Sequence, residues 1–259
     1  MSGQARRVAL IAGGTAGIGL GAARALAAQG VEVVVGGRDA ERANAAARSL
    51  DGPGEVVGTV LDSTDQASID AAVRLAVERF GRLDVIVHSV GAAPSGTFDE
   101  WDDAPWRDAF EQKVLGAKRL MSAALPELRK SDSGRIVLVA GSAGKEPGAS
   151  MAVAGTMNGA LISLTRAAAT QLAPEGITVN AVSPGPTATG RWERLVEMNA
   201  ERTATDADTA RAAMSEAFPQ GRPADVAEVA AAIAFLASPE ASFVTGTNMT
   251  VDGGQSRSI

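Results

Sequence analysis

Three glycines, Gly13, Gly17 and Gly19, follow an uncharged apolar run from Val8 to Ala12. The run has the length of a strand and the composition of one covered on both faces. A turn this tight needs residues that accept positive φ and lack a Cβ. It brings backbone N–H groups up to a ligand at the positive end of the helix that opens near Gly17. A diphosphate suits that geometry. The alternative is a glycine turn that binds nothing, and the strand–turn–helix context argues against it.

The second group with readable chemistry is Arg38. It follows the expected second strand in the run Gly36-Gly37-Arg38, with no acid before Asp39. In dinucleotide-binding α/β folds this position meets the adenine ribose. An acid there would bond the 2′-hydroxyl and repel a 2′-phosphate. An arginine pairs with the phosphate through its fork of donors. NADP(H) is therefore favoured over NAD(H), unless Arg38 pairs only with a surface carboxylate. Asp62, at the end of the expected third strand, is placed to accept from the adenine amino group. Its plainer reading is a helix cap, a role that Asp65 also suits.

Composition narrows the field. The 259 residues are 46% hydrophobic and carry a net charge of −6, with one histidine, no cysteine and no tyrosine. The length fits one α/β domain. A chain without cysteine has no disulfide or thiolate metal site, and one histidine excludes a multi-histidine site, so no metal is expected. The negative charge and the lack of a basic stripe argue against nucleic acid as a partner. No stretch of about 18 apolar residues suggests a membrane span. The start, Met1 to Arg7, leaves no room for a signal peptide's apolar segment, so a cytoplasmic location is expected.

The elements that must position these groups alternate between strand and helix, as in a parallel sheet built from right-handed crossovers. Strands are expected at 8–12, 31–36, 55–61, 83–88, 135–140, 177–182 and 248–251. Helices are expected at 17–29, 39–50, from 62 to 80, in one long run at 105–129, at 151–172, and from 222 to 236. Pro184-Gly185-Pro186 should break the chain. Residues 190–218 are polar and helical with weak apolar periodicity, and read as a mobile substrate lid. Trp101, Trp106 and Trp192 either line an apolar pocket or pack singly.

With these segments in place, the chain resembles the short-chain dehydrogenase/reductase family over essentially its whole length. Gly13-x-x-x-Gly17-x-Gly19, with Thr15 and Ile18, is similar to the family's cofactor loop. Leu61-Asp62-Ser63-Thr64-Asp65 resembles its adenine segment, and His88-Ser89-Val90-Gly91 stands where the family has Asn-Asn-Ala-Gly. The run from Val179 through Pro184, Gly185, Thr187 and Thr189 resembles the segment beside the nicotinamide. Val244-Thr245-Gly246-Thr247 and Val251-Asp252-Gly253-Gly254 resemble the C-terminal signature. The resemblance implies a doubly wound, seven-stranded parallel sheet in a single domain. It also implies a small-molecule substrate and a homotetramer or dimer.

The resemblance does not carry the family's catalytic residues. The tyrosine position falls on Ala154, the lysine position on Asn158, the serine position on Gly141 with Ser142 beside it, and the asparagine position on Lys113. Reducing a carbonyl with hydride leaves an alkoxide that needs a proton from a nearby acid. A tyrosine does this near neutral pH only beside a fixed cation. Ala154 has no proton to give and Asn158 no charge. The resemblance points Lys113 towards the altered site, where a desolvated lysine could act as acid or base. Its plainer role is an ion pair with Glu111 or Asp108. Ser142 could hold a substrate oxygen or merely bond its own loop, and Lys145 and Glu146 read as a solvated face. His88 could serve as a base, although a structural role at the strand end fits its position better.

Three functions follow as expectations. The first is an NADP(H)-dependent oxidoreductase acting on a small carbonyl or alcohol with a non-standard proton source. The second is an inactive NADP(H)-binding sensor or regulatory subunit. The third is a redox-neutral lyase or isomerase with Lys113 as base.

Overall fold

A computed structural model describes residues 6–91 and 94–257. Met1–Ala5, on which the leader expectation rests, and residues 92–93 of the loop after the fourth strand lie outside the described residues. Seven strands form one parallel sheet in the order β3-β2-β1-β4-β5-β6-β7. They are β1 (Val8–Ala12), β2 (Glu32–Gly37), β3 (Val56–Val60), β4 (Val85–His88), β5 (Arg135–Val139), β6 (Thr178–Pro184) and β7 (Asn248–Val251). The central strands are buried along their whole length, which explains their uninterrupted apolar composition.

Side chains alternate across the sheet, so each strand feeds two cores. Val8, Leu10 and Ala12 face α3 (Gln66–Phe80), α5 (Gly116–Leu128) and α6 (Ala152–Leu172). Ala9 and Ile11 face α1 (Gly17–Ala28), α2 (Ala40–Arg48) and α9 (Val226–Ala237). The doubly wound sheet expected from the sequence is therefore present, with helices on both faces.

Several boundaries moved for local reasons. The helix expected from residue 62 starts at Gln66, because the Asp62 carboxylate closes a turn onto Thr64 and Asp65 caps Ala67. Asp39 caps α2 from outside it, accepting from Arg42 N–H. Pro184 does not break β6. It stays in register with Val251, and the next N–H, that of Gly185, donates to the Val251 carbonyl at 3.0 Å.

The single helix expected at 105–129 is instead α4 (Asp103–Phe110), a π-helical turn at Glu111–Leu115, and α5. A π turn is wider than an α turn by one residue and recurs at functional sites. Its carbonyl at Gln112 accepts from the Ser63 hydroxyl at 3.2 Å.

The segment 190–218 forms two packed helices, α7 (Gly190–Thr203) and α8 (Ala207–Glu216). Trp192, Val196, Ala200 and Ala210 make a small core there, backed by Met214 and Phe218. The apolar periodicity read as weak is in fact a regular stripe at spacing four. Trp192 packs in that core, with its ring 5.7 Å from Phe218.

The glycine turn is a close approach of backbone to backbone. A Cβ at Gly19 would overlap the Gly13 carbonyl oxygen, whereas one at Gly148 would meet nothing within 4 Å. Gly19→Ala should therefore cost about 1–3 kcal/mol by overpacking, while Gly148→Ala should stay within about 0.5 kcal/mol. Urea unfolding of the two variants beside the parent checks this, and equal midpoints would contradict it.

Candidate functional site

The strand order reverses between β1 and β4, and ligands of open α/β sheets bind outside the carboxyl ends of strands at such a point. After β1, the N–H groups of Gly13 and Gly14 both donate to the Gly36 carbonyl, at 3.1 and 3.0 Å, tying the turn to the end of β2. Gly13 and Gly17 take φ of 77° and 52°, values that favour glycine. α1 opens from Ala16, which offers no side-chain cap, and its first turn holds no acid. The leading N–H groups at Gly17, Ile18 and Gly19 therefore have no side chain competing with an anion. A Cβ on Gly17 would stand 3.3 Å from the Thr189 methyl, so the segment after β6 closes over this turn. A diphosphate fits the cradle.

Arg38 stands exposed at the end of β2 and makes no ion pair among the described residues. The surface-carboxylate reading thus finds no support there. Asp62 lies at the end of the neighbouring β3. Hydrogen bonds from Thr64 hold its carboxyl below the usual range, with a smaller contribution from the Arg38 charge. The two side chains stand on adjacent strand ends, where the sequence placed the adenine ribose and base.

Other expected cofactor residues are turned elsewhere. Ser63 is buried, and its hydroxyl is committed to the Gln112 carbonyl. Thr187 is also buried, and its hydroxyl donates to Gly185 O at 3.0 Å within its own loop. His88 is wholly buried, so it offers a ligand no surface. Burial first, then the Lys113 charge, pushes its pKa down to about 3. The Lys113 and Gln112 carbonyls oppose that shift weakly, yet neither ring nitrogen completes a hydrogen bond among the described residues. With so low a pKa, the buried His88 imidazole is too weak a base for general base catalysis near neutral pH.

The residues at the altered catalytic positions come together. Lys113 rides the π turn, and its stem passes Gly91, where a Cβ would stand 2.9 Å from Lys113 Cβ. Gly91 accommodates it with no side chain and a φ of 102°. The Lys113 ammonium donates to the Ala140 carbonyl at 3.1 Å, just past the end of β5. The next residue is Gly141, where a Cβ would lie 2.7 Å from Asn158 Nδ2. Asn158 is buried, and its Oδ1 finds no partner among the described residues. Ser142 and Ala154 are half-buried at the same end.

Among the described residues, the ion pair expected for Lys113 with Glu111 or Asp108 is absent. Glu111 pairs with Arg119 at 2.6 Å instead, because the π turn carries Lys113 inwards while Glu111 stays on the outer side. Lys113 is half-buried, with its ammonium against the Ala140 carbonyl. Burial, and secondarily the Arg191 charge, bring its pKa down to about 8.

Arg191 was not singled out from the sequence. It stands in the first turn of α7, two residues past Thr189, and its charge acts on Lys113. Burial and then the Arg194 charge lower its pKa. The available signal was a cation directly after the segment that resembles the nicotinamide-flanking one.

Comparisons with known proteins agree with this architecture. Residues 12–256 match the family described as Enoyl-(Acyl carrier protein) reductase. The chain is 39% identical to a cis-4-hydroxycyclohexanecarboxylate dehydrogenase of Sinomonas cyclohexanicum over 252 residues, 96% of each chain. It is 31% identical to the NADPH-dependent reductase BacG of Bacillus subtilis over 257 residues, covering 98% of this chain and 99% of the other. Among solved structures, an actinorhodin polyketide ketoreductase with NADPH superposes with a TM-score of 0.93 at 31% identity, over 100% of both chains. On fold, strand-end architecture and full-length similarity together, the chain belongs to the short-chain dehydrogenase/reductase family.

Proposed function

We propose that the protein is an NADP(H)-dependent oxidoreductase that reduces a small carbonyl compound, or oxidises the matching alcohol, with Lys113 as its proton donor. The observation that carries this reading is the partly buried Lys113 ammonium, held on the Ala140 carbonyl beside Gly141 and Asn158 with a pKa lowered to about 8. The names of the relatives and of the NADPH-bound neighbour support the choice of cofactor, as does Arg38.

The N–H groups of Gly17, Ile18 and Gly19 would hold the diphosphate, Arg38 the 2′-phosphate and Asp62 the adenine amino group. Thr15, Val90, Gly91, Pro184, Gly185 and Thr189 would line the rest of the cofactor's path. Bound NADPH supplies a hydride to the carbonyl carbon. The chain's own part is the proton. As negative charge develops on the carbonyl oxygen, Lys113 Nζ gives up a proton to it, leaving an alcohol and a neutral amine. The Ala140 carbonyl keeps the nitrogen in place, and the amine recovers a proton from water. Ser142 and the Asn158 amide offer hydrogen bonds to the same oxygen. A lysine near pKa 8 is well matched to this task, because general acids work best with a pKa near the operating pH. The α7–α8 pair is the substrate cover in this reading, and the family implies a homo-oligomer.

Two outcomes test the proposal. Lys113→Met should lower kcat for NADPH oxidation by about 10²–10⁴-fold, the usual worth of general acid catalysis, with the NADPH Kd unchanged. Parent-like turnover in that variant would place the proton source elsewhere. An NADPH complex that consumes no cofactor with any ketone would leave only a binding role.

The pH profile has a definite sign. Lys113 donates only when protonated, so reduction should hold below pH 8 and fall as pH rises through about 8. Alcohol oxidation needs the neutral amine and should rise over the same interval. Rates in both directions, compared between the parent and Lys113→Arg, check this; a flat profile through pH 8 would contradict it.

A further inference from the structure

The π turn that carries Lys113 is held from outside its own helix. Within it, the Gly116 N–H donates to the Glu111 carbonyl, five residues back instead of the four of an α turn. A widened turn takes its carbonyls out of the regular ladder, and a buried carbonyl without a donor is costly. The Gln112 carbonyl, one residue before Lys113, finds its donor in another element. Ser63 Oγ lies 3.2 Å away.

Ser63 is buried in the turn between β3 and α3. That turn is fixed on both sides. The Asp62 carboxylate accepts from Thr64 N–H at 2.9 Å, and the Asp62 N–H donates to Ser68 Oγ at 2.9 Å. Ser63 also stands against the end of the π turn, where a Cβ on Gly116 would lie 2.7 Å from Ser63 Cβ. One residue therefore meets the turn both before and after Lys113. The Lys113 stem then passes Gly91 and reaches the Ala140 carbonyl at 3.1 Å.

We propose that Ser63 is a positioning residue, whose hydroxyl holds the π turn and so seats the Lys113 ammonium on the Ala140 carbonyl. This rests on the assignment of Lys113 as proton donor and adds the residue that places it. If the turn relaxed to an α turn, the helix on one side would rotate against the other by up to roughly 100°, the angle of one residue. Lys113 would leave its seat and regain water. The same turn carries Asp62, the acid expected at the adenine, so one short segment serves both ends of the site. The competing role for Ser63 is a direct bond to the cofactor, as the family resemblance implies.

The experiment reads Lys113 directly and needs no turnover. The chain has four lysines, Lys113, Lys118, Lys130 and Lys145. Carbon NMR of the full chain labelled at lysine Cε would follow each through a pH titration, in the parent, Ser63→Ala and Ser63→Thr. Among the described residues, Arg191 on α7 and His88 at the end of β4 are the titratable groups whose shifts are tied to Lys113, and both are kept in every variant. The parent Lys113 should titrate at about 8. In Ser63→Ala its midpoint should rise by about one pH unit or more, towards the ordinary lysine value of about 10.4. Ser63→Thr, which keeps the hydroxyl, should restore most of the lowering. The signals of the other three lysines should overlay between variants, which a general loosening of the fold would not allow. The NADP⁺ Kd, from calorimetry, should not change. An unmoved Lys113 midpoint in Ser63→Ala overturns the proposal, and if NADP⁺ binding weakens at the same time, Ser63 serves the cofactor instead. Where NADPH turnover is measurable, Ser63→Ala should lower kcat by about 10–100-fold with KM little changed, since misplacing a catalytic group costs rate rather than binding. A parent without turnover whose Lys113 still moves in Ser63→Ala would overturn the proton-donor assignment and leave the seat intact.

Discussion

The hydrogen bond from Lys113 to the Ala140 carbonyl organises the end of the sheet where the altered catalytic positions meet. A lysine ammonium is strongly hydrated and seeks water. Here it is drawn inwards because the π turn carries it past Gly91, where no side chain blocks the way, and because a strand-end carbonyl receives it. The interaction fixes the nitrogen beside Gly141 and Asn158, where the family to which the chain belongs ordinarily places hydroxyl and amine groups. Burial there costs the ammonium part of its hydration, and that loss, with the Arg191 charge second, lowers its pKa.

The neighbouring histidine shows the other outcome of burial. His88 lies at the end of β4 with no exposed surface, and Lys113 stands close enough for its charge to depress the His88 pKa further. The imidazole surrenders its charge and the ammonium keeps its own near neutral pH. The difference follows from their starting pKa values, about 6.5 and 10.4. Desolvation moves both downwards, but only lysine starts high enough to remain a usable acid. A site with a single charged donor results, rather than a coupled acid–base pair.

The nucleotide end rests on a different constraint, the absence of side chains. Gly13, Gly17 and Gly19 let the turn, the end of β2 and the first turn of α1 come closer than any Cβ permits. Thr189 then closes over the turn from β6, and the same segment leads directly into the helix that carries Arg191. The phosphate cradle and the start of α7 are thus joined by a few residues.

Much of this was legible in the amino-acid sequence. Apolar runs of strand length alternating with helical stretches determined the parallel sheet, because only strands covered on both faces lack charge from end to end. Glycine spacing determined the cradle, since no other residue tolerates those contacts. The absence of tyrosine excluded the family's usual proton donor by count alone. Tertiary structure decided the rest. Nothing in the residues around 111–115 distinguishes a π turn from an α turn, because the difference lies in how the helix docks on Ser63 and Gly91. Whether Glu111 would neutralise Lys113 depended on which side of that turn each one left. The polar stretch 190–218 hid a core of its own, since Trp192 finds Phe218 only after the chain reverses. Local propensity and patterning act along the chain, whereas the pKa of a buried ammonium is set by groups distant in sequence.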